Sequence, residues 1–149
     1  MRIKLIEDKT LEELTVSIQY SQITNEVRQI EKLLKSLGKV LTGSDNGRTY
    51  QIPVSDIFYI ESVDRKTFIY TKDKVFRSEL KLYDLQDELL SSEFVRISKS
   101  TILNINVLES ISTLINSKLE TVLSNGEKLW VSRTYIPDIK RLLFRGDEQ

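Results

Sequence analysis

Two stretches of the chain place cations among small hydroxyl residues at the end of an apolar run. One is Phe94-Val95-Arg96-Ile97-Ser98-Lys99-Ser100-Thr101-Ile102-Leu103-Asn104, and the other is Leu129-Trp130-Val131-Ser132-Arg133. Their chemistry is donation: N–H and O–H groups at strand ends suit the phosphate oxygens and base edges of a nucleic-acid groove. Other chemistries find little support. The chain has no histidine and no cysteine, which removes His-based triads, imidazole proton shuttles, disulfides and thiolate or imidazole metal sites. No Gly-Lys-Ser or Gly-Lys-Thr follows Gly43 or Gly47, and no Asp-x-Asp-x-Asp spacing suits calcium. Glu61 beside Ser62 has no positioned base or second carboxylate. The chain is therefore not read as an enzyme, and no cofactor or metal is implied.

Positioning such groups requires a stiff scaffold, and the pattern supplies one. Ile57 to Ile60, Thr67 to Thr71, Lys74 to Arg77, Phe94 to Ile97, Leu108 to Ile111, Leu119 to Leu123 and Leu129 to Val131 are short runs rich in β-branched and aromatic residues. Lys72-Asp73-Lys74 and Ser124-Asn125-Gly126-Glu127 separate adjacent runs, and Asn125-Gly126 predicts a type I′ hairpin turn. One helix is expected with Ser78 as cap and Leu82, Leu85 and Leu89 inward. Another spans about Thr134 to Phe144, with Pro137 in its first turn. Trp130, between Leu129 and Val131, is expected to pack rather than to stack on bases. The fold class is mainly β with flanking helices, in stacked antiparallel sheets.

A short ββα extension precedes this scaffold. Ile3 to Leu5 and Thr15 to Tyr20 alternate as strands. Thr24 caps a helix whose stripe is Val27, Ile30, Leu33, Leu34 and Leu37, with Gly38 ending it. The expected domains are residues 1–43 for the extension, 44–47 for a linker, 48–145 for the main domain and 146–149 for a tail. The extension is too small to bury a core by itself, so it dimerises or braces.

At 149 residues, with 40% hydrophobic and 30% charged residues, the chain suits one ordinary globular domain plus an appendage. No apolar run approaches the roughly 20 residues of a membrane span. The N-terminus breaks its apolar residues with charges, unlike a signal peptide. Membrane insertion is not expected, and a cytoplasmic location fits. Net charge argues mildly against nucleic acid, because 22 Lys and Arg balance 22 Asp and Glu. Phosphate binding therefore needs the cations sorted onto one face. The order of charges permits it: Asp84, Asp87, Glu88 and Glu93 gather in a helical stretch, while Arg65, Lys66, Lys99 and Arg133 stand at expected strand ends.

From about Thr49 to Phe144 the chain resembles the LytTR family of bacterial DNA-binding domains. The resemblance rests on Ile57-Phe58-Tyr59-Ile60-Glu61-Ser62, the Phe94–Asn104 segment, and Asn125-Gly126 followed by Val131-Ser132-Arg133, in that order. It implies a sequence-specific transcriptional regulator whose loops enter the major groove of double-stranded DNA. The loops then fall at Asp64-Arg65-Lys66-Thr67, at Ser98-Lys99-Ser100 and at Ser132-Arg133. Base contacts are expected from Arg133, Lys99, Lys66 and Thr67. Arg133 leads, because a guanidinium can bond O6 and N7 of guanine together. Backbone contacts are expected from Arg65, Arg96, Ser98, Ser100, Thr101, Ser132 and Asn104. Two of these carry alternatives: Arg96 as a surface strand residue pairing with Glu93, and Asn104 as a turn-closing side chain. Ser98-Lys99 stands where the family often has His-Arg, so the bases read are this chain's own. The roughly 45 residues before the resemblance are too few for a receiver domain, so control is expected from protein level, dimerisation, a partner protein or a ligand. A homodimer on repeated sites is expected. The alternative is an interaction module that regulates a partner protein without binding DNA.

Overall fold

The computed structural model describes residues 1–89, 93–114, 116 and 118–144. Helix α1 (Asn25–Ser36) is followed by strands β1 (Val40–Asp45), β2 (Arg48–Pro53), β3 (Tyr59–Val63), β4 (Lys66–Tyr70) and β5 (Val75–Ser78). Then come helix α2 (Leu82–Glu88) and strands β6 (Phe94–Ser98), β7 (Thr101–Asn104), β8 (Leu108–Thr113), β9 (Leu119–Leu123) and β10 (Lys128–Val131), closed by helix α3 (Ile136–Leu143). The strands form two antiparallel sheets, one of seven in the order β2-β1-β5-β4-β3-β7-β6 and one of three in the order β10-β9-β8.

Alternation along the central strands builds a core on each face of the large sheet. On β3 and β7, Ile60 and Ile102 point to one side and join Ile69, Phe76, the α2 residues Leu82 and Leu85, and Leu89 at its C-terminal cap. Their chain neighbours Tyr59 and Leu103 point to the other, where Val95 and Ile97 meet Leu119, Leu123 and Val131 of the small sheet and Ile139 of α3. Buried aliphatic side chains of this kind contribute about 1.5–3 kcal/mol each. The stacked layers expected from the strand pattern are thus present.

The two sheets are also latched through polar groups. The Tyr59 hydroxyl donates to Oε2 of Glu127 at 2.7 Å. Asn125 donates through Nδ2 to the other Glu127 oxygen at 2.8 Å and to the Lys72 carbonyl at 3.3 Å. Burial, then the bond to Glu127, pushes the Tyr59 hydroxyl well above its ordinary 10.0. Its ring stacks on Tyr70 with centroids 4.3 Å apart.

Several expectations need correction. Residues 44–47 are not a linker: β1 pairs with β2 from Val40↔Pro53 to Asp45↔Arg48 and joins the large sheet. Asn46 and Gly47 form the tight turn, both at positive φ (49° and 78°), which is the type I′ geometry. At Asn125-Gly126 only the glycine has positive φ, 90°. The Gly126 amide there donates to Leu123 and the Leu123 amide to Glu127, which makes a longer loop. Ser78 closes β5 instead of capping α2, and its Oγ accepts from the Leu80 amide at 3.1 Å.

The extension keeps its helix but not its strands. Thr24 caps α1, its Oγ1 accepting from the Val27 amide at 3.4 Å, and Lys32 pairs with Glu93 at 3.5 Å. Residues 1–23 contain no strand, and Leu5 and Leu14 are over nine-tenths exposed. Alternation alone cannot make a strand. Without a partner, an extended segment leaves every backbone group to water and gains no ladder.

Candidate nucleic-acid interface

Strand register brings the three cationic segments to one end of the scaffold. β3 pairs with β4 up to Val63↔Lys66 and with β7 up to Glu61↔Thr101. The β3–β4 turn and the β6–β7 turn therefore lie side by side, tied by the Ser62 amide donating to the Ser100 carbonyl at 2.8 Å. The third segment comes from the other sheet. As β10 ends, the Ser132 amide donates to the Ile97 carbonyl at 2.8 Å. Arg133 then opens a 3-10 turn whose Tyr135 amide returns to the Ser132 carbonyl at 2.9 Å.

Each tip has its own local chemistry. Asp64 and Arg65 form a two-residue turn with both φ positive, 50° and 65°. That conformation is rare for non-glycine residues, and strain of this kind is found at binding loops. Arg65 and Lys66 are exposed. In the β6–β7 turn Lys99 is exposed, and Ser98 Oγ accepts from the Ser100 amide at 3.1 Å with the Ser100 hydroxyl 3.3 Å away. Ser132 and Arg133 are exposed. Among the described residues, the ion pairs join Lys32, Lys35, Lys128 and Arg141 to acids, so Arg65, Lys66, Lys99 and Arg133 keep their charge for solvent or a ligand.

Four exposed cations thus stand at one end of a chain of balanced charge, with Asp64 beside Arg65 in the first turn. Glu61 lies further back, half-buried, and it helps burial raise the Tyr70 hydroxyl above its ordinary value.

Four expected contacts are used up inside the fold. Thr67 is 5% and Thr101 7% exposed, since both alternate inward on their strands. Asn104 is 2% exposed, its Nδ2 donating to the Ile57 carbonyl at 2.8 Å and its Oδ1 accepting from the Asn106 amide at 2.9 Å. It is the turn-closing residue of the alternative reading.

Arg96 neither pairs with Glu93 nor points freely outward. Its Nε donates to the Ser98 carbonyl at 3.0 Å, one terminal nitrogen to the Lys99 carbonyl at 2.5 Å, and the other to Oε1 of Gln86 at 2.6 Å.

Trp130 is 51% exposed, because alternation on β10 sends Leu129 and Val131 inward and the indole out. It lines a shallow depression with Asn116, Lys118, Ser132 and Arg133. A second depression holds Arg133 and Lys140 over Leu119, Ile136 and Pro137. Lys140 and Gln86 were not expected here. Lys140 follows Ile136 by one helical turn, a spacing that could have placed it; Gln86 has no sequence signal.

Residues 47–144 match the family described as the LytTr DNA-binding domain. The chain belongs to the LytTR family. The solved LytTr DNA-binding domain of a Bacillus cereus protein superposes with a TM-score of 0.66 at 27% identity, covering 71% of this chain and 98% of that one. Sensory transduction protein LytT of Enterococcus faecalis is 29% identical over 113 residues, which is 76% of this chain and 46% of that protein. LytT of Bacillus anthracis is 33% identical over 92 residues, 62% of this chain and 37% of its own. The chain thus spans less than half the length of these two relatives. A Staphylococcus aureus protein described as an uncharacterized HTH-type transcriptional regulator is similar over nearly its whole length, at 26% identity over 96% of this chain and 98% of that one. The LytTR family is one of DNA-binding domains, not of enzymes. Among the described residues no cluster of three or more potential metal ligands occurs, and no helix is long and apolar enough to cross a membrane.

Proposed function

We propose that this LytTR protein is a transcriptional regulator that reads double-stranded DNA with the tips at Arg65-Lys66, Lys99 and Ser132-Arg133. The observation that carries this reading is the convergence of cations from two sheets at one end, unpaired with any described carboxylate, in a chain of zero net charge. Arg133 contacts a guanine, and Lys99 and Lys66 contact base or phosphate. Arg65 and the hydroxyls of Ser98, Ser100 and Ser132 hold phosphates and set register.

The regulator works in the cytoplasm as a homodimer on two repeated sites. One small domain covers few base pairs, and a second copy multiplies selectivity through effective concentration. The exposed apolar residues of the N-terminal arm, among them Leu5, Leu14 and Val16, together with Leu37 of the α1 end, support residues 1–43 as the dimerising part.

A mobility shift on DNA from its own promoter region, at low and moderate salt with unrelated competitor, tests the reading. Retention that survives competitor and weakens steeply with salt supports it. Absence of any shift overturns it in favour of regulation through a partner protein. Sedimentation of the free protein tests the dimer.

A further inference from the structure

We propose that Arg96 is a positioning residue: its guanidinium clamps the Ser98 and Lys99 carbonyls while Gln86 of α2 holds it in place, and so aims Lys99. This rests on the DNA-binding reading of the Lys99 tip. A planar guanidinium presents its N–H donors as a fixed fork, so bonding two successive carbonyls and a side-chain amide fixes the path of the turn. The pairing of β6 with β7 is irregular here: Arg96 pairs with Ile102, and the register shifts before Ser98 pairs with Thr101. The shift interrupts the ladder that would hold the turn from its own hairpin, and a bulge re-aims the residue that follows. The three Arg96 bonds, at 3.0, 2.5 and 2.6 Å, take over that work.

The third bond reaches outside the hairpin. Gln86 is half-buried on a helix whose Leu82 and Leu85 are locked into the core. The clamp therefore references the Lys99 tip to the packed layer of the protein as well as to its own turn. Loops ordered before binding lose less conformational freedom on complex formation, and affinity rises accordingly.

The test compares Arg96→Ala, Arg96→Lys, Gln86→Ala and Lys99→Ala in the full chain. Amide hydrogen exchange is measured without DNA, and binding is measured across a salt series. In the free protein, the three clamp variants should speed exchange at the Ser100 amide, whose bond to Ser98 Oγ depends on the turn. Lys99→Ala should not. On DNA, Arg96→Ala should bind about tenfold more weakly with an unchanged salt slope, because preorganisation is lost and no phosphate contact is. Lys99→Ala should lower the slope by about 1.

A slope reduced equally by Arg96→Ala would make Arg96 a phosphate contact and overturn the proposal. Unchanged Ser100 exchange in Arg96→Lys and Gln86→Ala would overturn it too, and both variants spare the fold should Arg96→Ala not do so. Failure of the unaltered protein to bind DNA would instead overturn the function proposed above, while the exchange data would still decide whether the clamp exists.

Discussion

The Ser132 amide and the Ile97 carbonyl are joined at 2.8 Å, and this one bond links the strand leading to Arg133 with the strand leading to Lys99. The two cations come from different sheets, so their relative placement depends on that contact and on the apolar packing beneath it. Ser132 has φ −67°, which proline tolerates, but proline has no N–H to donate. Ser132→Pro should therefore lose this bond and press its Cδ against the Ile97 carbonyl, costing about 3 kcal/mol of stability and making DNA binding less selective. Chemical denaturation beside competition binding would check this. Undiminished selectivity would mean that the link does not set the spacing of the tips.

Arg133→Ala should weaken binding by roughly 1–3 kcal/mol and relax preference at one base pair. Binding to a panel of single-base operator variants would show it. A uniform loss across the panel would reassign Arg133 to phosphate.

Asn104→Ala should behave in the opposite way. The side chain satisfies the Ile57 carbonyl and the Asn106 amide inside the fold, and its removal strands buried groups at a cost of about 1–3 kcal/mol each. Urea denaturation should show the loss, while the DNA affinity of the folded fraction stays as it was. A selective loss of affinity at full stability would return Asn104 to the interface.

The Tyr59–Glu127 latch predicts an alkaline limit. Tyr59 in the folded protein titrates above the 10.0 of an unfolded tyrosine. Its contribution to stability is therefore complete below pH 10 and declines as pH rises beyond it, because the unfolded chain releases that proton first. Tyr59→Phe should cost about 1 kcal/mol at neutral pH and flatten the decline above pH 10. Thermal melts from pH 8 upward would test both. An equal decline in the variant would place its cause elsewhere.

Gly43 supplies a packing test. A Cβ there would stand 2.7 Å from Ile52 Cδ1 and 2.8 Å from Phe76 Cβ. The first atom can swing away, but the second is fixed to its backbone. Gly43→Ala should destabilise by about 1–3 kcal/mol, seen in urea. Neutral stability would show that β1 can lift from the sheet.

Much of this protein was legible in its sequence where the information is local. Seven of the ten strands among the described residues, the Thr24 cap and the three cationic segments follow from alternation, capping chemistry and residue type. β1 and β2 escaped notice because Gly43 and Asn46-Gly47 look like a break. Only the neighbours Ile52 and Phe76 reveal that Gly43 is a close-packed strand residue. The opposite error occurred at residues 3–5 and 15–20, whose alternation is sound but finds no strand to pair with. The sites divide the same way. Side-chain type nominated Arg133, Lys99, Thr67, Asn104 and Arg96 alike, since a donor is a donor in any sequence. Burial then withdrew Thr67, Thr101 and Asn104, and three bonds turned Arg96 inward. Which donors face outward depends on pairing register and on contacts between residues distant in sequence, such as Gln86 with Arg96 and Ser132 with Ile97. Those contacts exist only once the two sheets have stacked.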